Sequence, residues 1–238
     1  MINNLRYVGD KKMNNDSIYF KTLEKIKSKG NIDFICIDYN DYHIVLKLID
    51  DSDETVVFVT EVRKKFCHMF SSYFDITIER TKQWIVESLE KKDWIQFLVY
   101  VNGEKIGTIG NNRYDKSNNS AELDNLAKFF ETEYRGLFNI VEKVYLKWMF
   151  DTLKLDKITE KLFTDNYTAL NSHLKCGFKI LGVIPSKRKF TNDGWVWENI
   201  ILDSDDEFGE RYYHKIELSK KDLIKNFEKI KFRILKNN

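Results

Sequence analysis

The stretch that decides the fold runs from Glu122 to Phe178. It opens with AELDNLAKFF (121–130), which reads as a strand, and a turn carrying Arg135-Gly136 leads into LFNIVEKVYLKWMFDTL (137–153), a helix. A second strand, DKITEKLFT (156–164), and a second helix, DNYTALNSHLKC (165–176), close on Gly177-Phe178. The order is strand, turn, helix, strand, helix, strand, with one glycine at the mouth of the first helix. A glycine there lets the backbone approach a ligand, and the free N–H groups of the first turn face an anion, usually phosphate. Glu122 and Asp124 stand two residues apart in the strand and therefore on one face. Two neighbouring carboxylates raise each other's proton affinity, which suits a general base acting on an amine, although solvated edge charges would look the same in sequence.

Outward from this stretch, His43–Ile49 reads as a strand, and Asp51 and Glu54 have the spacing of a capping box before the helix ETVVFVTEVRKK. Thr77 is placed to cap a second helix (78–92) with Trp84, Ile85 and Leu89 on its apolar face. IQFLVYV and EKIGTIG flank Asn102-Gly103, a strong hairpin signal. After Phe178, KILGVIP reads as a strand, SKRKFTNDG as a return and WVWENIIL as the last strand. Ahead of this core, Ser17–Lys29 predicts a helix with Tyr19, Leu23 and Ile26 inward, followed by the strand NIDFICIDY. Behind it, Ser219–Leu235 predicts a basic amphipathic helix with Leu223, Ile224, Phe227, Ile230 and Ile234 on one face. The expected organisation is an extension over 1–42, a core domain over 43–203 and a second extension over 204–238. The fold class is α/β (α+β), a mixed sheet with helices on both faces.

Composition narrows the function classes. With 39 basic and 37 acidic residues and a net charge of +2, there is no bulk electrostatic case for nucleic acid or membrane. Three dispersed cysteines suit a reducing compartment, no apolar run approaches a membrane span, and a cytoplasmic location is expected. The four histidines are scattered, so no metal site is expected; P-loop, dinucleotide and nucleophile-elbow motifs are absent.

These pieces resemble the GNAT (N-acetyltransferase) superfamily. In DNYTALNSHLKCGF, Asn166, Ala169, Lys175, Gly177 and Phe178 match the family's closing helix motif, N-x-x-A-x-x-x-Y-x-K-x-G-F. EYRGLF corresponds to the pyrophosphate loop, [QR]-x-x-G-x-[GA], with Glu133 and Phe138 departing from it. The resemblance covers about residues 43–203 and implies a mostly antiparallel sheet of six to seven strands. It implies acetyl-CoA as co-substrate, with Leu126, Ala127 and Lys128 pairing the pantetheine. Arg135, Gly136, Leu137, Phe138 and Asn139 would hold the pyrophosphate, Asn166 the pantetheine arm, and Lys175 belongs to the same motif. Glu122 or Asp124 would deprotonate the attacking amine, directly or through water, and His173, at the family's tyrosine position, or a water would protonate the departing thiolate, a packing or hydrogen-bonding role being the alternative for His173. The acceptor implied is a small-molecule amine, foremost a nucleotide-linked amino sugar, with a protein α-amino group as alternative. The aromatic segments Phe66–Phe74 and Trp195–Trp197 would form its wall. A homodimer is compatible with this reading, and a catalytically silent CoA-binding module is the alternative from another class.

Overall fold

A computed structural model describes residues 15–130, 134–201, 208–224, 227 and 230–235. The chain runs α1 (Asn15–Lys27), β1 (Asp33–Tyr39), β2 (Tyr42–Leu48), α2 (Asp53–Phe66), β3 (Ser72–Phe74), α3 (Ile78–Glu90), β4 (Ile95–Val101) and β5 (Glu104–Asp115). It continues with β6 (Ser120–Lys128), α4 (Leu137–Asp151), β7 (Lys157–Phe163), α5 (Tyr167–Cys176), β8 (Lys179–Thr191), β9 (Gly194–Asn199), β10 (Arg211–Ser219) and β11 (Lys231–Ile234). All eleven strands join one sheet in the order β11-β1-β2-β4-β5-β6-β7-β10-β8-β9-β3. Every pairing is antiparallel except β6 with β7.

The mixed sheet with helices on both faces is the expected class, with more strands than expected. Seven of them (β2, β4, β5, β6, β7, β10, β8) form the central run, and β1, β11, β9 and β3 widen it at both edges. One face carries α1, α4 and α5 over the main core, in which Tyr19, Phe97, Tyr145, Trp148 and Phe150 are almost wholly buried. The other face carries α2 and α3 over a smaller cluster of Val56, Val59, Ile85, Trp94 and Leu98.

Local signals place most elements. Thr77 caps α3 by accepting from the Arg80 N–H, and Asn102-Gly103 turns β4 into β5 with positive φ at both residues, as a type I′ hairpin requires. Three expectations need correction. The cap of α2 is Ser52, whose hydroxyl accepts from the Thr55 N–H, not a box built on Asp51 and Glu54. β8 runs unbroken through Pro185 to Thr191, so the return lies at Asn192–Asp193. The helix predicted over Ser219–Leu235 is absent among the described residues, which form the end of β10, a turn and β11. Its apolar residues are used differently: Leu223 and Ile230 enter the main core, and Ile234 pairs with Ile35 of β1.

The segment after residue 203 is consequently no appendage. β10 inserts between β7 and β8, with Tyr213 opposite Phe163 on one side and opposite Ile184 on the other. The divisions expected near residues 43 and 203 therefore run through one continuous sheet.

Candidate active site

The site starts where β6 and β7 part. They pair in parallel at Ser120–Lys157, Ala121–Ile158 and Glu122–Thr159, and no further, although each strand continues for several residues. Beyond the fork, Ala127 and Lys128 still pair with Thr108 and Gly107 of β5, while the other backbone edge of Ala127 has no strand partner among the described residues. A bulge lies at this point: Asn125 has φ 52° and its carbonyl accepts from Thr108 Oγ1 at 2.7 Å. Bulges commonly re-aim side chains beside active sites. Leu126 and Ala127 thus present a backbone edge to an extended ligand arm.

Glu122 and Asp124 are brought together on one face, at the mouth of the fork. Arg113 Nη1 donates to both Glu122 oxygens at 2.9 and 3.0 Å. Among the described residues no cation lies within ion-pair distance of Asp124, and Arg113 acts on it only at longer range. Its Oδ2 accepts from the side-chain amides of Asn112 at 2.8 Å and Asn125 at 2.7 Å. Burial, reinforced by the Glu122 charge, raises the Asp124 pKa to about 6. A carboxylate poised there is ionised at neutral pH yet basic enough to take a proton.

Gly136 opens α4 with φ 83°, in the left-handed region, and no side chain caps the helix. The first turn contains no acidic residue; the Leu137 N–H donates to the Tyr134 carbonyl at 3.1 Å, and the N–H groups that follow it are the ones that would face an anion. The departure at Phe138 has a structural counterpart. A Cβ on Gly107 of β5 would lie 2.4 Å from Phe138 Cζ and 2.1 Å from the Ala127 carbonyl oxygen. The missing side chain of Gly107 is what lets the Phe138 ring pack inward, against the main core. A bulky residue in the loop therefore need not fill the space before the helix.

Other expected cofactor residues have identified local duties. Asn139 Nδ2 donates to the Ser172 carbonyl at 3.2 Å, fastening α4 to α5, and Asn166 Oδ1 caps α5 by accepting from the Ala169 N–H at 3.3 Å. Leu137 is buried; Arg135 and Lys175 are exposed.

His173 stands elsewhere than expected. Its ring is fully buried, with Nδ1 2.6 Å from Glu142 Oε1 and Nε2 3.1 Å from Glu160 Oε2. The second contact is an ion pair by distance whose angle is poor for a hydrogen bond, so the Glu142 side is the better bond. Burial opposes a charged ring, but Glu160 and Glu142 outweigh it and raise the pKa to about 10. Glu142 Oε2 also accepts from Ser172 Oγ at 2.6 Å. An imidazolium clamped between two carboxylates, without an open side, is a strut joining α5, α4 and β7 rather than the proton donor expected for a thiolate. Sequence reasoning missed Arg113, Asn112, Glu142 and Glu160. The one available signal was Glu142 amid the mostly apolar residues of α4, an acid that needs a partner if buried.

Phe66–Phe74 and Trp195–Trp197 do meet. Residues 72–74 pair with 194–196, Tyr73 stacks on Trp195 with centroids 4.0 Å apart, and the Trp197 N–H donates to the Ser71 carbonyl. Beside them a cavity of about 250 Å³ is lined by Phe74, Arg80, Trp84 and Trp195, among others. Among the described residues, no group of three or more His, Cys, Asp or Glu side chains is placed to hold a metal, and no helix is long and apolar enough to cross a membrane.

A parallel pair of strands that splays at a bulge, with a helix start facing the gap, is the architecture of the GNAT N-acetyltransferases, and this chain has that fold. Solved structures similar to it include spermidine N-acetyltransferase from Vibrio cholerae in complex with CoA and spermine, at 14% identity and TM-score 0.57 over 75% of this chain and 96% of that one. Mutant forms of the spermidine/spermine N-acetyltransferase SpeG from the same organism match at 16% identity and TM-score 0.55, over 75% and 94%. A structure described as a putative acetyltransferase matches at 13% identity and TM-score 0.57, over 76% and 84%. No family model matches the sequence, and no curated protein matches it.

Proposed function

We propose that this protein transfers an acetyl group directly from acetyl-CoA to the primary amine of a small metabolite. The observation that carries the reading is the fork after Glu122 and Thr159, with the half-buried Asp124, held by two side-chain amides, at its mouth. The residues fit the co-substrate: the backbone edge at Leu126–Ala127 borders the fork, no side chain among the described residues caps α4, and Phe138 is folded inward over Gly107. Bound there, acetyl-CoA supplies an activated thioester. Asp124 takes the ammonium proton of the acceptor, directly or through water, with Glu122 held ready beside it by Arg113. A backbone N–H of β6 beyond the bulge stabilises the developing oxyanion. With His173 sealed in the core, protonation of the thiolate falls to water in the open fork.

For the acceptor the support is coarser. The spermidine N-acetyltransferase neighbour binds spermine, which supports a small amine over a protein terminus. The stacked Tyr73 and Trp195 favour an acceptor with a flat or ring-shaped part, such as an amino sugar. Pairing of two copies belongs to the same reading and is measured by light scattering. The test of function mixes purified protein with acetyl-CoA and pools of polyamines, amino sugars and peptides, and follows free thiol. Acetylated small amines are expected. CoA binding without turnover of any pool would instead identify a silent CoA-binding module, and no CoA binding would end both readings.

A further inference from the structure

The sheet face that carries Glu122 and Asp124 continues across β7 and β10, and its charges there do not cancel. Lys161 lies two residues beyond Thr159, the partner of Glu122, and so projects from the same face about 7 Å further along. Lys215 of β10 is directly opposite it in the antiparallel register. Like charges directly opposed across strands are destabilising. Neither ammonium is within ion-pair distance of a carboxylate among the described residues. Lys161 Nζ rests 4.2 Å from the Tyr213 ring centroid and donates to the amide oxygen of Asn199 at 3.2 Å. Glu122 attracts it at longer range but is already chelated by Arg113, and Glu217 on the same strand face is taken by Lys157. Burial holds the Lys161 ammonium below the usual lysine range, as expected for a cation lacking a counter-charge.

Two further observations mark this as a place for a ligand. The Tyr213 hydroxyl, on a residue 2% exposed, is buried without a hydrogen-bond partner among the described residues. Gly182, opposite Lys215 on β8, has nothing among the described residues within 4 Å of where a Cβ would sit, so the sheet face beside Lys215 is open there.

We infer that Lys161 and Lys215 bind an anionic group of the acceptor, a carboxylate or a phosphate, while Asp124 receives its amine at the neighbouring fork. The acceptor is then an amine that carries its own negative charge, and polyamines are disfavoured because the lysine pair repels their second ammonium. This inference rests on the acetyltransferase reading for the amine, but not for the anion.

The experiment has two arms. In the first, acetyl transfer is compared for 5-aminopentanoate, 3-aminopropyl phosphate, cadaverine and pentylamine. At least one of the two anionic amines should exceed cadaverine in kcat/KM about tenfold or more, on the order of one charge-assisted hydrogen bond. The better of the two identifies the anion. Lys161→Gln or Lys215→Gln should remove that preference through KM, and Lys161→Arg should restore part of it. In the second arm, Lys161 and Lys215 of the wild-type chain are labelled with an amine-reactive reagent and read by mass spectrometry. Either anionic amine should protect them and pentylamine should not. Protection without turnover of any amine would support the anion site and refute the acetyltransferase reading. Turnover with cadaverine as good as the anionic amines, or no protection by either, would overturn the inference.

Discussion

In the proposed reaction Asp124 is the base. Only its ionised form accepts a proton, and its pKa is raised to about 6, so kcat/KM should climb through that pH and level off above it. Asp124→Asn should lower kcat by about 10²–10⁴-fold and leave acetyl-CoA affinity within about twofold, as measured by thiol release and titration calorimetry. Glu122→Gln should cost less, because it loosens Arg113 without touching the amide bonds that hold Asp124. His173 calls for a different measurement. Its folded pKa of about 10 exceeds the ordinary 6.5, so the ring's stabilising charge is fully present below pH 6.5 and is lost as pH rises toward 10. Thermal melting of the wild type should fall over that window. His173→Phe should flatten the dependence and cost about 3 kcal/mol or more, since it strands Glu142 and Glu160. An active, undiminished His173→Phe protein would show that the strut is dispensable.

At the scale of elements, the Gly107–Phe138 contact explains how an atypical helix entrance is tolerated. Gly107→Ala would push a methyl against the Ala127 carbonyl and the Phe138 ring, so β5, β6 or the ring must move. A loss of about 1–3 kcal/mol is expected in urea unfolding, together with weaker CoA binding as the ring is driven toward the helix start. Elements set by local chemistry were legible in the sequence. Asn102-Gly103 fixes a hairpin by its own backbone preferences, Thr77 caps a helix through the N–H three residues on, and Tyr19, Leu23 and Ile26 define an inward face without any partner named. The residues from Leu223 to Ile234 were misread because their helical spacing is real but outweighed. Pairing of Ile35 with Ile234 and burial of Leu223 and Ile230 win over local periodicity. Half of the site was legible for the same reason: Glu122 and Asp124 are two apart in one strand. The Glu142–His173–Glu160 clamp joins three separate elements, a relation that no local pattern encodes.

For the whole molecule, the late strands are structural necessities. A chain ending at residue 203 would lack β10, leaving β7 and β8 without the strand that lies between them and exposing Phe163 and the partners of Ile216 and Leu218. Such a truncation should fail to give a cooperative melting transition. Removal of residues 1–28 strips Tyr19, Leu23 and Ile26 from the main core, and with Tyr19 one side of the buried Asn111–Tyr145 hydrogen-bond network. It should destabilise strongly but leave the sheet order intact, as judged by retained far-UV dichroism at low temperature.

The position of β10 also imposes a schedule. Its neighbours β7 and β8 are synthesised first, and a growing chain must keep the gap between them open until residues 211–219 leave the ribosome. Tyr213 and Lys215 arrive with that strand, so the nascent protein has the fork between β6 and β7 before it has the sheet face on which Lys161 and Lys215 stand opposed.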